Sequence, residues 1–401
     1  MSTPWLHIIG IGEDGEAGLS AAALEQVRNA EVILGGDRHQ RLATNPNAER
    51  ITWPSPFDAM IDVIKAQKGR RFVVLVTGDP LWYSVGARIS RTIDPSEIRF
   101  HPQLSAFQFA TARMGWSLAD CETLTVHGRP AEQIVPFFRS GARLLVLTKD
   151  SSSPETIAEL LRAHGLGESS MTALAALGGD AEQIIAGTAS DWQASVPDFH
   201  TLAIECVASE SARVLPRGPG LPDDAFEHDG KMTKSEVRAV TLARLAPGRG
   251  EYLWDVGLGC GSVAIEWMRV GRDARAVGLE PKAERRAMAE RNAVRLGAPA
   301  LDIRDAFAPD GLDGLTAPDA VFIGGGLSAE TFELCWRALK PHGRLVANAV
   351  TLESEALLLE LHARHGGELT RLAVSRAEPV GPFRGWRPSM PVTQLFLTKA
   401  G

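Results

Sequence analysis

The chain has 401 residues, 44% of them apolar and 23% charged, with a formal net charge of −7. That length allows two or three domains whose cores need no staples; no apolar run approaches the ~20 residues that span a bilayer, and the opening Met-Ser-Thr-Pro-Trp lacks the pattern of a signal peptide. Cys121, Cys206, Cys260 and Cys335 have no C-x-x-C spacing, so neither a zinc site nor a disulfide framework is expected, the usage suits a reducing cytoplasm, and the lack of a basic block argues against nucleic acid as a partner.

In chain order, Leu6–Ile11 reads as a short apolar strand running into Gly10-Ile-Gly12-Glu-Asp-Gly15. Glu13 and Asp14 would put negative charge where a pyrophosphate should sit, so these glycines are read as a tight strand exit rather than a dinucleotide fingerprint. Ser20 is placed to cap a helix, and Val32–Leu34 is the next strand. Phe72–Val76 is all apolar, the pattern of a buried parallel strand. It runs into Thr77-Gly78-Asp79-Pro80-Leu81-Trp82-Tyr83-Ser84, a turn at the carboxyl end of a sheet, where such folds bind ligands. Ile98–His101 follows, with Ser105 as the N-cap of a helix. Further strands are expected at Leu144–Thr148, Met171–Leu177 and Thr201–Val207, with a helix from Pro154.

Gly10-x-Gly12, Gly78-Asp79-Pro80, Leu104-Ser-Ala-Phe-Gln and Gly178-Gly179-Asp180-Ala-Glu182, in that order, resemble the tetrapyrrole (corrin/porphyrin) methylase family, the class III methyltransferases. The resemblance implies two α/β lobes with S-adenosylmethionine (SAM) folded into the cleft. It also implies main-chain contacts to SAM at Gly78, Asp79, Pro80 and Leu81, then at Ser105, Ala106 and Phe107. Pro102-Gln-Leu-Ser-Ala replaces the usual P-G-x-S-S and is closer to the branch acting at carbon 5 of corrin precursors than to the uroporphyrinogen branch.

Residues 208–230 carry the strongest composition shift, rich in Ser, Pro, Gly and Asp, and read as a linker with a boundary near 210. Next comes Lys231-Met-Thr-Lys234-Ser-Glu-Val-Arg238. Thr233 as N-cap with Glu236 three residues on makes a capping box, and Lys234 and Arg238 share a helix face. That face is either a solvated helix start or an anion-binding entrance.

Residues 250–282 organise the second half. An apolar run ends in Asp255, alternate glycines follow at Gly257, Gly259 and Gly261, a helix opens at Ser262, and a second apolar run ends in Glu280. Glycines admit tight backbone angles and close ligand approach, and an acid at the second strand tip is placed to accept from two ribose hydroxyls. A dinucleotide site wants G-x-G-x-x-G/A, but the third position here is Ser262. Asp255–Gly261 instead matches the class I methyltransferase motif D-x-G-x-G-x-G without a gap, so SAM is preferred to NAD. A helix over Lys282–Leu296 leads to a strand at Leu301–Ile303. Beyond it lie Asp305 and Ala306, with Asp305 the candidate for the adenine amine. Ala320–Ile323 ends in Gly324-Gly325-Gly326, either an open floor for a bulky planar substrate or a flexible turn. Gly343–Asn348, a helix from Glu353, and an antiparallel terminal pair at Leu369–Ser375 and Val392–Thr398 complete the pattern.

Met232–Arg238, Trp254-Asp-Val-Gly-x-Gly-x-Gly-Ser262 and Gly324–Gly326 resemble the precorrin-6B decarboxylase/carbon-15 methyltransferase family. Together the two resemblances cover nearly the whole chain. They imply an α/β chain, with an N-terminal class III tetrapyrrole methylase fold of two lobes followed by a class I Rossmann-like SAM methyltransferase domain. The expected boundaries are 1–210 for the carbon-5 methyltransferase, 211–229 for the linker and 230–401 for the carbon-15 methyltransferase and decarboxylase. The implied function is a bifunctional enzyme of cobalamin biosynthesis. It would methylate precorrin-6B (6Y) at carbons 5 and 15 and decarboxylate the carbon-12 acetate to give precorrin-8X, using one SAM per domain and no metal. A cytoplasmic homo-oligomer is expected, with no membrane partner. For the carboxylate-rich substrate we select Lys231, Thr233, Lys234, Arg238, Gly324, Gly325, Gly326, Arg384 and Arg387, with Arg88 and Arg113 in the first half; no residue is assigned acid or base work. The rivals are an NAD-dependent oxidoreductase built on Asp255–Glu280 and a tetrapyrrole-binding carrier.

Overall fold

In the computed structural model, which describes residues 4–401, the apolar runs of the first half become strands buried on both faces. β1 (Leu6–Ile11), β2 (Val32–Leu34), β3 (Glu49–Ile51), β4 (Phe72–Thr77) and β5 (Ile98–His101) form a parallel sheet in the order β3-β2-β4-β1-β5. Successive side chains point to opposite faces. Leu6, Ile8, Leu34, Phe72 and Val74 therefore join one core, and Ile9, Ile11, Ile33, Val73 and Leu75 the other.

A second sheet follows, from β6 (Cys121–Thr125), β7 (Arg143–Leu147), β8 (Ser170–Ala175), β9 (Gln183–Thr188) and β10 (His200–Glu205), in the order β6-β7-β10-β8-β9. It is mixed: β6 runs parallel to β7, and β10 runs antiparallel to β7 and β8. The helix Ala106–Met114 packs on it through Phe107 and Ala110, against Leu145, Leu174 and Ala203. Both sheets belong to one unit, made of residues up to Ala131 and of Arg139–Arg213.

The other unit comprises Glu132–Phe138 and Val214–Gly401. Its strands are β11 (Tyr252–Val256), β12 (Arg275–Leu279), β13 (Asp302–Arg304), β14 (Ala320–Ile323), β15 (Arg344–Ala349), β16 (Glu368–Leu372), β17 (Ser375–Val380), β18 (Phe383–Pro388) and β19 (Val392–Thr398). Seven of them form a sheet in the order β13-β12-β11-β14-β15-β19-β16, parallel as far as β15, with β19 antiparallel to both neighbours. The chain reverses its direction of travel across the sheet between β11 and β14, which opens a crevice at their carboxyl ends.

Two expectations change here. The terminal strand read as Leu369–Ser375 ends at Leu372, and Ser375 instead begins the separate hairpin β17–β18. Residues 211–229, read as a linker, contain Leu221, Ala225 and Phe226, which are buried in the core of the second unit. Among the described residues, no helix is long and apolar enough to cross a membrane.

Candidate active sites

In the second unit the three alternate glycines all take left-handed backbone angles, with φ of +79° at Gly257, +58° at Gly259 and +83° at Gly261. Gly257 also lies against the loop after β14. A Cβ there would sit 2.7 Å from the main-chain N and Cα of Gly325, so the two glycine loops touch across the crevice. The main-chain N–H groups of Gly324 and Gly325 both donate to the Val256 carbonyl, at 2.9 and 3.2 Å. A Cβ on Gly326 would meet nothing within 4 Å, so the outer end of this shelf is open. Gly261 is the N-cap of the helix Ser262–Val270 and offers it no side chain.

Two acids stand under the turn. Glu280 is 3% exposed. Its Oε2 accepts from Gly259 N–H and its Oε1 from Lys282 N–H, both at 3.0 Å. Each carboxylate oxygen has two lone pairs, so the side chain is fixed and keeps acceptor capacity. Asp255 is buried; its Oδ2 accepts from Ala264 N–H at 3.1 Å, and its Oδ1 has no partner among the described residues. Burial pushes its carboxyl up to about 7, against the Ala264 hydrogen bond and with help from the Glu280 charge. These features fit SAM, which brings hydroxyls and positive charge, and oppose a pyrophosphate.

Asp305, the candidate for the adenine amine, is clasped by Arg286 on both oxygens, at 2.9 and 2.8 Å. The same guanidinium donates to the Glu280 carbonyl at 2.9 Å. Arg286 thus ties the tips of β12 and β13 together, and Ala306 follows half-buried. Sequence reading missed Arg286 and Arg285. The latter donates to Asp229 at 2.9 and 2.6 Å, and Asp229 accepts in turn from Lys231 N–H at 2.9 Å. Lys231 is thereby held beside the turn, its carbonyl 3.9 Å from where a Cβ on Gly259 would lie.

The substrate-clamp expectation fails at Arg238, which is 0% exposed. Its guanidinium pairs with Glu266 at 2.6 Å and Asp223 at 3.3 Å and donates to the carbonyls of Leu221 and Thr233. The capping box fails with it. The N-cap of the helix Ser235–Leu245 is Lys234, without a side-chain cap, and Glu236 is drawn to Arg376 at 2.6 Å. Lys234 reaches the Gly230 carbonyl at 3.5 Å. Arg384 and Arg387 lie on the exposed strand β18, with Arg387 against Glu378 at 3.0 Å. Neither hydrogen-bonds a glycine-turn residue among the described residues.

In the first unit, the loops after β1, β4 and β5 meet at one point. A Cβ on Gly10 would lie 1.7 Å from the Gly78 carbonyl oxygen, and one on Gly78 would lie 2.9 Å from Ser105 Cα. Gly10 therefore serves close approach of two main chains more than a tight exit. Asp79 Oδ1 accepts from Leu81 N–H at 2.7 Å and shapes the turn around Pro80. Ser105 caps its helix: its hydroxyl accepts from Phe107 N–H at 3.3 Å, and its own N–H donates to Gln108 at 2.9 Å. The hydroxyl and N–H of Ser105 are both occupied within this cap, so it leaves Ala106 rather than Ser105 to offer a ligand its main-chain N–H. Leu81, Trp82 and Leu104 are exposed and form an apolar rim. Arg113 is held by Glu182 at 2.9 Å, which also accepts from Gly178 N–H at 2.8 Å. Arg88 pairs with Asp58 at 2.7 Å. Both arginines already hold a carboxylate of this chain.

Each unit thus presents a glycine-lined loop cluster at the carboxyl ends of parallel strands. Residues 5–193 match the family described as tetrapyrrole (corrin/porphyrin) methylases, and residues 224–399 the family described as precorrin methyltransferase domain. A Sinorhizobium protein named precorrin-6Y C(5,15)-methyltransferase (decarboxylating) is 46% identical over 400 residues, which cover 99% of this chain and 97% of that one. This chain belongs to the precorrin-6Y C(5,15)-methyltransferase (decarboxylating) family. A Mycobacterium tuberculosis member with the same name is 39% identical over 98% of this chain and 99% of its own. The solved C-terminal domain of a Rhodobacter capsulatus precorrin-6Y C5,15-methyltransferase is 48% identical, with a TM-score of 0.44, and covers 46% of this chain and 100% of that one. As a member of a methyltransferase family the chain uses SAM.

Proposed function

We propose that this chain methylates precorrin-6B (6Y) at carbons 5 and 15 and decarboxylates the carbon-12 acetate, giving precorrin-8X in cobalamin biosynthesis. The first unit, with Gly78, Asp79, Pro80, Leu81, Ser105, Ala106 and Phe107 around SAM, methylates carbon 5. The second unit, with Asp255, Gly257, Gly259, Gly261, Ser262, Glu280, Asp305 and Ala306, methylates carbon 15 and decarboxylates. The observation that carries this reading is the fixed Glu280 carboxylate under an open glycine shelf, an acceptor set for ribose hydroxyls at a strand crossover.

Bound SAM supplies an electrophilic methyl group. The chain's own task is orientation: methyl transfer to an enamine-like carbon needs close alignment rather than a strong base. The Gly324–Gly326 shelf leaves its outer end, at Gly326, free for a planar ring, and Lys231 and Lys234 stand at the mouth for its carboxylates. Removing water from the carbon-12 acetate assists loss of CO2 into the conjugated imine system. The four free cysteines suit a reducing cytoplasm, and we propose a homo-oligomer there, testable by light scattering.

The deciding experiment titrates the intact chain with S-adenosylhomocysteine (SAH, demethylated SAM) by calorimetry. It then follows the corrin product by mass for two methyl groups gained and one CO2 lost. Two sites and that product are expected; a single site removed by altering Glu280 would overturn the carbon-5 assignment.

A further inference from the structure

One polar cluster beside the first unit's ligand loop has no role in the account above. Thr77 is the last residue of β4, directly before Gly78-Asp79-Pro80, and is exposed. Arg38 Nη2 donates to its hydroxyl oxygen at 2.6 Å, and His39 Nε2 lies 2.9 Å from the same atom. Arg38 Nη1 pairs with Glu13, and the guanidinium lies 4.2 Å above the Phe199 ring.

The direction of these bonds can be deduced. Gly36 N–H donates to His39 Nδ1 at 3.3 Å. That nitrogen must present a lone pair, so the hydrogen of the neutral ring sits on Nε2 and points at Thr77. The hydroxyl oxygen of Thr77 then accepts twice, from Arg38 and from His39, and both lone pairs are used. Its own proton has no acceptor among the described residues. A hydroxyl in this state can act toward a ligand only as a donor. Burial keeps the imidazole neutral down to about pH 4, which holds this arrangement across the working range.

Arg38 is poised in a related way. Stacking on Phe199 orients the guanidinium independently of Glu13. The pair with Glu13 is partly exposed on both sides, with side-chain accessibilities of 24% and 21%. A mostly buried guanidinium needs a carboxylate partner, and exchanging Glu13 for another carboxylate keeps one in place. Glu13 belongs to the acidic stretch that made the loop after β1 unsuited to phosphate.

We propose that Arg38 and Thr77 form the carboxylate-receiving subsite of the first unit. Arg38 exchanges Glu13 for a peripheral carboxylate of the corrin precursor, and the Thr77 hydroxyl donates a second hydrogen bond to that carboxylate. The inference rests on the carbon-5 reading given above.

The test is steady-state kinetics on the full chain, with carbon-5 and carbon-15 transfer followed separately by product mass. Thr77→Val keeps the shape and removes the donor. It should raise KM for the corrin precursor in carbon-5 transfer by roughly tenfold, with SAH affinity and carbon-15 transfer unchanged. Glu13→Gln should act in the opposite direction and lower that KM, because the resting partner of Arg38 loses its charge; a merely structural ion pair would give no tightening. A carbon-5 KM unmoved by Thr77→Val, or not lowered by Glu13→Gln, overturns the inference alone. An unaltered chain that methylates carbon 15 and never carbon 5 overturns the proposed function, and the inference falls with it.

Discussion

Glu280, at the tip of β12, accepts a hydrogen bond at 3.0 Å from the main-chain N–H of Gly259 in the turn after β11. One side chain thus fixes the glycine turn and supplies the acceptor for a ligand's hydroxyls. Hydrogen bonds to a charged group contribute about 1.5–3 kcal/mol. Glu280→Ala should therefore weaken SAH binding at the second unit's site by roughly tenfold to a hundredfold, leaving the first site intact in the same titration. Glu280→Gln keeps an acceptor for Gly259 and should fall between. Unchanged affinity in both variants would refute the assignment.

Gly257 and Gly326 separate steric need from backbone need. Both have positive φ, +79° and +69°. A Cβ on Gly257 would collide with Gly325 at 2.7 Å, whereas one on Gly326 meets nothing within 4 Å. Gly326→Ala should cost only the left-handed backbone penalty, about 1–2 kcal/mol. Gly257→Ala adds a main-chain collision, so it should lower the melting temperature further and abolish SAH binding in the second unit. Equal behaviour of the two variants in calorimetric melts would show that the loops are not in contact.

What could be read from the sequence follows from how local each feature is. Uninterrupted apolar runs such as Phe72–Val76 gave buried parallel strands, because both faces of such a strand are covered. Ser20 and Ser105 were legible as caps because a cap acts within its own turn. The edge strand β3 is three residues long and carries the exposed Glu49 and Arg50, so no hydrophobic pattern marks it, and the edge strand β9 leaves Gln183 and Ile184 exposed and contains Gly187, which reads as a breaker. The hairpin β17–β18 holds Pro379 and Gly385, which read as breakers. Arg238 misled because its partner is distant in sequence: Glu266 lies 28 residues away. Arg286 went unread for the same reason, lying 19 residues from Asp305. Helix spacing shows which residues share a face, not what packs on it.

The burial of Arg238 yields a stability prediction in place of a binding one. Burial raises the Glu266 carboxyl, an effect that Arg238 and the N–H groups of Gly220 and Leu221 offset. Arg238→Met leaves that charge buried and unpaired, which typically costs about 3–5 kcal/mol. The second unit should unfold at lower urea, with the carbon-15 KM of the remaining folded chain unchanged. Adding Glu266→Gln removes the stranded charge and keeps an acceptor for one of the two N–H groups, which bond different carboxylate oxygens, so it should recover part of the loss. A raised KM without lost stability would restore Arg238 as a substrate clamp.

Asp255 makes the second unit's stability depend on pH. Burial pushes its carboxyl up to about 7, the Glu280 charge adds to the shift, and Ala264 N–H opposes it. An unfolded aspartate titrates near ~4. Between those values the folded chain holds a proton that the unfolded chain has released, so stability falls as pH rises. The contribution is complete below about pH 4 and is lost as pH passes through about 7. Asp255→Asn keeps the shape and removes the titration. Urea unfolding of both chains across this interval isolates the term, because titrating groups that do not interact with Asp255 cancel in the difference. The variant should gain on the parent as pH rises. A difference that does not change with pH would mean that Asp255 stays ionised when buried, with a partner for Oδ1 strong enough to offset its desolvation.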